Sequence, residues 1–401
     1  MSVMTPAARE LESAARAAGC EALRFVPLDA GPYVRRVLEG IEPRALLICE
    51  TEIWPGLLVE ARRSQVPVAF VSARLTDRGA RRQRLWQPVV RELMRGVPVA
   101  AQSAADAERW RAIGAQAACV AVTGNLKYHR PAGPLAPAER EAGRRGWNRV
   151  FVLGSVRSGE FEAVVSAVAR TAERVSRAPE SASRTPEKVI PAPESVIRAS
   201  GNVLVVVVPR HPERAGDLWD GLGRLGMPVI ERRAREGQLL PAPGEGEQRG
   251  STPTLLAVHT IGELRDLYAL ADAAFVGGTL APIGGHSLYE VAEWGVPVLY
   301  GPHVEQVADV AAALEARGGG RRVHSAEALA EAWTAWMTDP AMRREAAAAA
   351  LGAARELGGS AERTLGALAA WGFPVGEQRT RQGPDGDAYR ETDRETDQET
   401  R

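Results

Sequence analysis

The residues of this chain that can do chemistry gather directly after short apolar runs. Glu50-Thr51-Glu52-Ile53-Trp54-Pro55 follows the run 45–49, and Gly124-Asn125-Leu126-Lys127 follows 119–123. Pro209-Arg210-His211-Pro212-Glu213-Arg214 follows 203–208, and Gly154-Ser155 follows 150–153. Ser72-Ala73-Arg74 and Gln102-Ser103 hold the same place after 67–71 and 97–101. Strand ends always meet polar loops. Turn chemistry alone, however, does not call for Glu, Lys, Arg and His beside glycines at so many of them. In an open parallel sheet, ligands sit at these carboxyl ends. Arg210 is a natural fork for phosphate there, whereas a lone His211 is more often structural.

The densest segment is 275–302. It reads Phe275-Val276-Gly277-Gly278, a loop 279–285, then His286-Ser287-Leu288-Tyr289-Glu290, and returns to an apolar run at 297–300. The spacing predicts one strand–loop–helix–strand unit, with the helix over 286–295. Gly284 and Gly285 remove side chains just before that helix, so its N-terminal N–H groups are open to a phosphate. Glu290, in the first turn, suits the positive helix end but repels a phosphate alongside. It is better placed to reach sugar hydroxyls. Thr260-Ile261-Gly262-Glu263-Leu264 repeats the device in smaller form, and for Glu263 a capping-box role is an equal alternative.

Short apolar runs alternating with helical patterns predict parallel sheets covered by helices. Strands are expected at 45–49, 67–71, 97–101 and 119–123, with helices at 55–63 and 104–113 between them. A strand stub at 2–4 precedes a helix capped by Thr5 and Pro6 and stopped by Gly19. A Rossmann-like half normally opens with its own central strand, and only this stub stands there. A second set of strands is expected at 150–153, 203–208, 228–230, 254–258, 274–276 and 297–300. The domain expectation is therefore residues 1–130, a linker at 131–148, and a nucleotide-sugar domain at 149–372. Within the last, 177–200 reads as a disordered insertion, and 373–401 as a disordered tail.

Composition bounds what these residues can serve. Lys and Arg total 50, as do Asp and Glu, so there is no global field to attract nucleic acid. Any anion must be held by a local site. Cys20, Cys49 and Cys119 are too few for a disulfide framework and read as reduced thiols of a cytoplasmic protein. No run approaches the roughly 18 apolar residues of a membrane span, and the opening residues lack a signal-peptide pattern, so any membrane contact is expected to be peripheral.

The motifs at 50–55, 124–127, 209–214, 262–264 and 275–302, taken in order and spacing, resemble the 3-deoxy-D-manno-octulosonic acid (Kdo) transferases. The resemblance runs from about residue 4 to 322. It implies a GT-B fold, two Rossmann-like α/β domains facing a cleft, the first lacking its opening strand. It implies transfer of Kdo from CMP-Kdo to a lipid A precursor, inverting and without metal or other cofactor, at the cytoplasmic face of the inner membrane. Carried over by position, the CMP site comprises Pro209, Arg210, Ile261, Gly262, Glu263, Ser287, Leu288, Tyr289 and Glu290, while Glu50 and Lys127 stabilise the transition state. Ser287 stands where the family has Asn, and Thr5-Pro6-Ala7-Ala8 where it has Thr-Pro-Thr-Gly. Family members also begin with a hydrophobic anchor and a strand ending in Ser-Val-Gly-Glu, whose Glu is the general base. That segment is expected upstream of Met1, and the similar Ser158-Gly159-Glu160 is given no such role. Two other readings of the same residues are a CMP-sugar-binding remnant without catalysis and another GT-B sugar-nucleotide enzyme.

Overall fold

A computed structural model describes residues 2–3, 12–17, 19–50, 53–128, 131–177, 202–235, 237–243 and 252–374. The chain divides into two compact units, one of residues 1–100, 107–121 and 364–401, the other of 101–106 and 122–363.

The first unit opens with strand β1 (Ser2–Val3), paired in parallel with β2 (Arg24–Phe25). Thr5 and Pro6, the expected helix start, lie outside the described residues. Strands β3 (Leu46–Cys49), β4 (Val68–Ala73), β5 (Val99–Ala101) and β6 (Val120–Val122) form a four-stranded sheet in the order β3-β4-β5-β6. Four short apolar runs thus fold side by side in chain order. The helix Pro55–Arg63 begins at a proline, whose fixed φ suits a first helical position. Its N–H groups at Gly56 and Leu57 donate to the Asp29 carboxylate at 3.1 and 2.7 Å. An anion from the chain itself therefore caps this helix. Phe70 of β4 packs on Trp110 of the helix Ala104–Ile113, ring centroids 5.0 Å apart.

The second unit is built on seven strands in the order β13-β12-β11-β7-β8-β10-β9, every neighbouring pair parallel. They are β7 (Arg149–Val156), β8 (Val203–Pro209), β9 (Val229–Arg232), β10 (Thr254–Val258), β11 (Ala273–Val276), β12 (Val298–Tyr300) and β13 (Gly320–Arg322). The runs in β7 and β8 are apolar at nearly every position because both faces of the sheet are covered. Val150, Val152, Leu204 and Val206 join one core, Phe151, Leu153, Val205 and Val207 the other. Trp333 of the helix Ala326–Thr338 stacks on Phe151 at 4.0 Å between centroids.

Two expectations need revising. The segment expected as a linker contains the helix Pro137–Arg144, which belongs to the second unit. Arg140 and Arg144 donate to the carbonyls of Ala271 and Leu270 at 2.5 and 2.9 Å, at the C-terminal end of the helix Leu264–Leu270. Charges that resemble solvated linker residues here satisfy the carbonyl end of a neighbouring helix. The last helix, Ser360–Ala370, falls partly in each unit rather than wholly in the second. The insertion expected at 177–200 lies outside the described residues apart from Arg177, which ends the helix Phe161–Arg177. The expected tail is described only at 373–374.

Candidate functional site

Parallel strands β11, β7, β8 and β10 are adjacent, so the loops following them share one edge of the sheet. Segments 277–290, 155–160, 210–214 and 259–263 therefore meet there. Left-handed backbone marks the ends of three strands in the two units: φ is 62° at Glu50, 50° at Ser72 and 55° at Ser155. Non-glycine residues hold this conformation only where their surroundings impose it. At Ser155 it accompanies a bulge between Gly154 and Val156. A Cβ on Gly277 would lie 2.5 Å from the Ser155 carbonyl oxygen, so only glycine lets the end of β11 pass the bulge.

Glu160 fixes the loop after β11. Its side chain is 1% exposed, and it accepts from the N–H groups of Gly278 (2.7 Å), Thr279 (2.8 Å), Leu280 (2.6 Å) and Ala281 (3.4 Å). It also accepts from the Arg157 N–H at 3.2 Å. Thr279 then ties the loop to β12: its hydroxyl donates to the Val276 carbonyl (2.6 Å) and accepts from the Gly301 N–H (2.8 Å). The first half of the glycine loop is thus held by an internal carboxylate, ahead of the Gly284-Gly285 pair that precedes the expected phosphate-facing helix start. The helix beyond it is also shorter than expected, Tyr289–Ala292. Leu288 is its N-cap residue without a side-chain cap, and Ser287 Oγ accepts only a long hydrogen bond from Glu290 N–H at 3.4 Å.

The candidate residues divide by environment. Arg210 is exposed just beyond buried Pro209, with its N–H donating to the Val156 carbonyl at 2.9 Å. Ile261 is 72% exposed beside Gly262, whose φ is 91°. Leu288 and Tyr289 are buried, and Tyr289 stacks on Tyr128 with centroids 4.8 Å apart. Their side chains belong to the core, so any ligand contact of theirs is through backbone. Glu290 is exposed as a residue, while packed neighbours partly desolvate its carboxyl; that desolvation first, and then nearby Glu293, raises its pKa. Glu263 is buried against Arg232, whose Nη2 lies 2.5 Å from it, and takes a further hydrogen bond from Thr260. The Arg232 hydrogen bonds hold its pKa below the usual carboxylate range. It makes no side-chain cap to the helix behind it, so the capping-box alternative is replaced by an ion pair.

Lys127 is exposed in the second unit on a loop that is firmly tied. Ser360 Oγ lies 2.7 Å from the Asn125 carbonyl and 2.9 Å from that of Tyr128, and Arg363 donates to the Thr123 carbonyl at 3.0 Å. Glu50 stands at the end of β3 in the first unit.

Sequence reasoning missed two residues at the shared edge. Arg157 follows β7, with Nη1 2.9 Å from His211 Nε2. His286 packs on the loop: a Cβ on Gly278 would be 2.8 Å from its ring. Burial first, then the charges of Arg157, Arg210 and His211, lower the His286 pKa to about 4. The unfolded chain therefore binds the proton more readily between pH 6.5 and 4, and stability contributed by neutral His286 is lost as pH falls through that window. His286→Gln is expected to flatten this part of the stability profile, read from urea midpoints at pH 7 and 4.5. An unchanged slope would place the imidazole in ordinary solvent. Among the described residues, no group of three or more His, Cys, Asp or Glu is arranged to hold a metal ion.

Two parallel α/β units, with polar residues gathered at the carboxyl edge of the second sheet, form the GT-B architecture common to glycosyltransferases and sugar-nucleotide epimerases. The fold is shared with a UDP-GlcNAc 2-epimerase from Neisseria meningitidis (TM-score 0.55, 12% identity, 92% of this chain and 91% of that one). It is shared also with a glycosyltransferase from Rickettsia africae (TM-score 0.52, 12% identity, 92% and 87%). Residues 1–130 match the family described as 3-Deoxy-D-manno-octulosonic-acid transferase (kdotransferase). The chain is 32% identical over 351 residues to the 3-deoxy-D-manno-octulosonic acid transferase of Bordetella pertussis, covering 86% of this chain and 74% of that one. It belongs to the Kdo transferase family.

Proposed function

We propose that this protein transfers Kdo from CMP-Kdo to a lipid A precursor, with inversion and without a metal. The observation that carries this reading is the 32% identity to a Kdo transferase across 86% of the chain. The shared edge of the second sheet supplies groups that suit a cytidine monophosphate. Arg210 meets the phosphate, the turn at Ile261 and Gly262 lies flat against the base, and Glu290 reaches ribose hydroxyls. Negative charge grows on the departing phosphate during transfer, and Lys127 and Arg210 offset it. Glu50 braces the positive charge developing at the sugar carbon.

Titration calorimetry with CMP and UMP tests the donor site. CMP is expected to bind more tightly than UMP, and Arg210→Ala to weaken CMP by roughly ten- to a hundredfold, one charge-assisted hydrogen bond to phosphate being worth about 1.5–3 kcal/mol. Equal affinity for the two nucleotides, or an unaffected variant, would remove these residues from the site. Product formation from CMP-Kdo and a lipid A precursor tests the reaction, and CMP binding without transfer favours a binding-only protein.

Among the described residues, no helix is long and apolar enough to cross a membrane. A surface of the first unit nevertheless suits an anionic lipid. The helix Asp77–Arg84 exposes Arg78, Arg81, Arg82 and Arg84, and it is followed by Leu85 (80% exposed) and Trp86 (66% exposed). Beside them lies a groove of about 530 Å³ lined by Ile53, Pro55, Trp86, Val89 and Leu93. Basic side chains flanking an exposed Trp form an interfacial surface, attracted by anionic headgroups and anchored by apolar insertion. Vesicle co-sedimentation is expected to show binding to anionic but not zwitterionic bilayers. Replacing both Leu85 and Trp86 with Ser should weaken it at least about tenfold. Equal binding by that variant would assign the contact elsewhere.

A further inference from the structure

Resting on the donor reading above, we propose that Arg157 and His286 form a separate anion subsite that reads the carboxylate of the donor sugar. CMP-Kdo carries two anionic groups on one carbon, the nucleotide phosphate and the sugar carboxylate, so the site must place two charges side by side. The structure supplies two different basic groups for them. Arg210 is exposed and projects from the end of β8. Arg157 sits deeper, after the bulge of β7, with its backbone N–H fixed on Glu160 at 3.2 Å.

The guanidinium of Arg157 is oriented without being neutralised. Nη1 donates to His211 Nε2 at 2.9 Å, which makes that nitrogen the acceptor and puts the His211 proton on Nδ1, 3.4 Å from Glu213. Glu213 thus pairs with His211, on the far side of the imidazole from Arg157. Glu160, the buried carboxylate of the same loop, is engaged by backbone N–H groups. Arg157 Nε is buried and without a hydrogen-bond partner, and so is His286 Nε2 on the facing loop. A buried polar atom left unpaired costs about 1–3 kcal/mol. Arg157 Nε can only donate, and His286 Nε2 donates in its Nε2–H tautomer. The two side chains interact electrostatically, so together they point to a ligand group that accepts from both. The group must be anionic and must accept from two directions. A carboxylate accepts in-plane from a guanidinium edge and from an imidazole N–H together. Burial and the surrounding arginines keep His286 neutral at physiological pH, so it donates one hydrogen bond without adding charge. Gly278 leaves the space the ring occupies, since a Cβ there would be 3.0 Å from Nε2.

Competition binding of CMP and CMP-Kdo to the full chain and its variants tests this subsite. Wild-type protein is expected to prefer CMP-Kdo over CMP. Arg157→Leu and His286→Ala should each lower CMP-Kdo affinity by roughly tenfold or more while CMP affinity stays within about threefold, because a site built to pair a polar group discriminates strongly against its absence. Retained CMP binding also shows that each variant is folded. Arg157→Lys keeps the charge and loses the planar fork, and it should lose most of the preference for CMP-Kdo. Equal losses for CMP and CMP-Kdo would assign the pair to the phosphate and overturn the proposal, as would variants that bind both ligands like wild type. A wild-type protein that binds CMP but not CMP-Kdo more tightly also overturns it and leaves the nucleotide site standing. Failure to bind CMP at all withdraws the donor reading itself.

Discussion

Glu160→Ala is expected to destabilise the second unit by about 3–5 kcal/mol and to abolish CMP binding. The carboxylate is 1% exposed and accepts from Gly278, Thr279 and Leu280 at 2.6–2.8 Å. Removing it leaves three close N–H groups buried without an acceptor. The loop is also packed tightly against the end of β12, where a Cβ on Gly301 would lie 2.1 Å from the Thr279 carbonyl oxygen. The loss of binding comes from position, since 277–285 joins β11 to the Ser287–Glu290 segment. Glu160→Gln should give a smaller loss, because the amide keeps one acceptor but turns a donor toward other donors. Urea denaturation followed by fluorescence, with CMP calorimetry on the same samples, measures both effects. An unchanged denaturation midpoint for Glu160→Ala would mean that the loop holds itself.

Lys127→Ala is expected to lower turnover by about 10²–10³-fold with little change in donor affinity. That is the size of effect seen when one preorganised charge-stabilising donor is removed from a transition state. The prediction depends on preorganisation, and the loop provides it. Ser360 grips the carbonyls of Asn125 and Tyr128, Arg363 that of Thr123, and the Asn125 side chain accepts from the Lys127 N–H at 3.0 Å. Single-turnover rates at saturating CMP-Kdo isolate the chemical step. A defect confined to donor affinity would move Lys127 from the transition state to ground-state binding.

Much of the architecture is legible in the sequence because it rests on local pattern. The runs 150–153 and 203–208 become β7 and β8, and helices expected at 55–63 and 104–113 appear with those bounds. Strand β13 was missed because Gly-Arg-Arg at the edge of a sheet carries no apolar alternation. The helix Pro137–Arg144 was missed because its arginines act on carbonyls more than 120 residues away, in an element no local window contains. The site shows the same division. Its position after successive strands is set by periodicity and turn residues. The roles of Glu160 and Glu263 are not, because both depend on partners brought near only by the sheet: Gly278 for one, Arg232 for the other. Read alone, Ser158-Gly159-Glu160 resembles many helix starts, and nothing in its spelling announces a clamp on a loop 118 residues later.

The grip of Ser360 and Arg363 on the Gly-Asn-Leu-Lys loop has a consequence for synthesis on the ribosome. The paired groups are 232, 235 and 240 residues apart. At about 5–20 residues per second, roughly 10–50 s pass between translation of the loop and translation of the residues that fasten it. Throughout that interval the nascent chain can complete β7 to β13 while the Thr123, Asn125 and Tyr128 carbonyls await these partners. Lys127 is therefore among the last parts of the second unit to reach its working position, and the helix that completes it is the last described element of the chain.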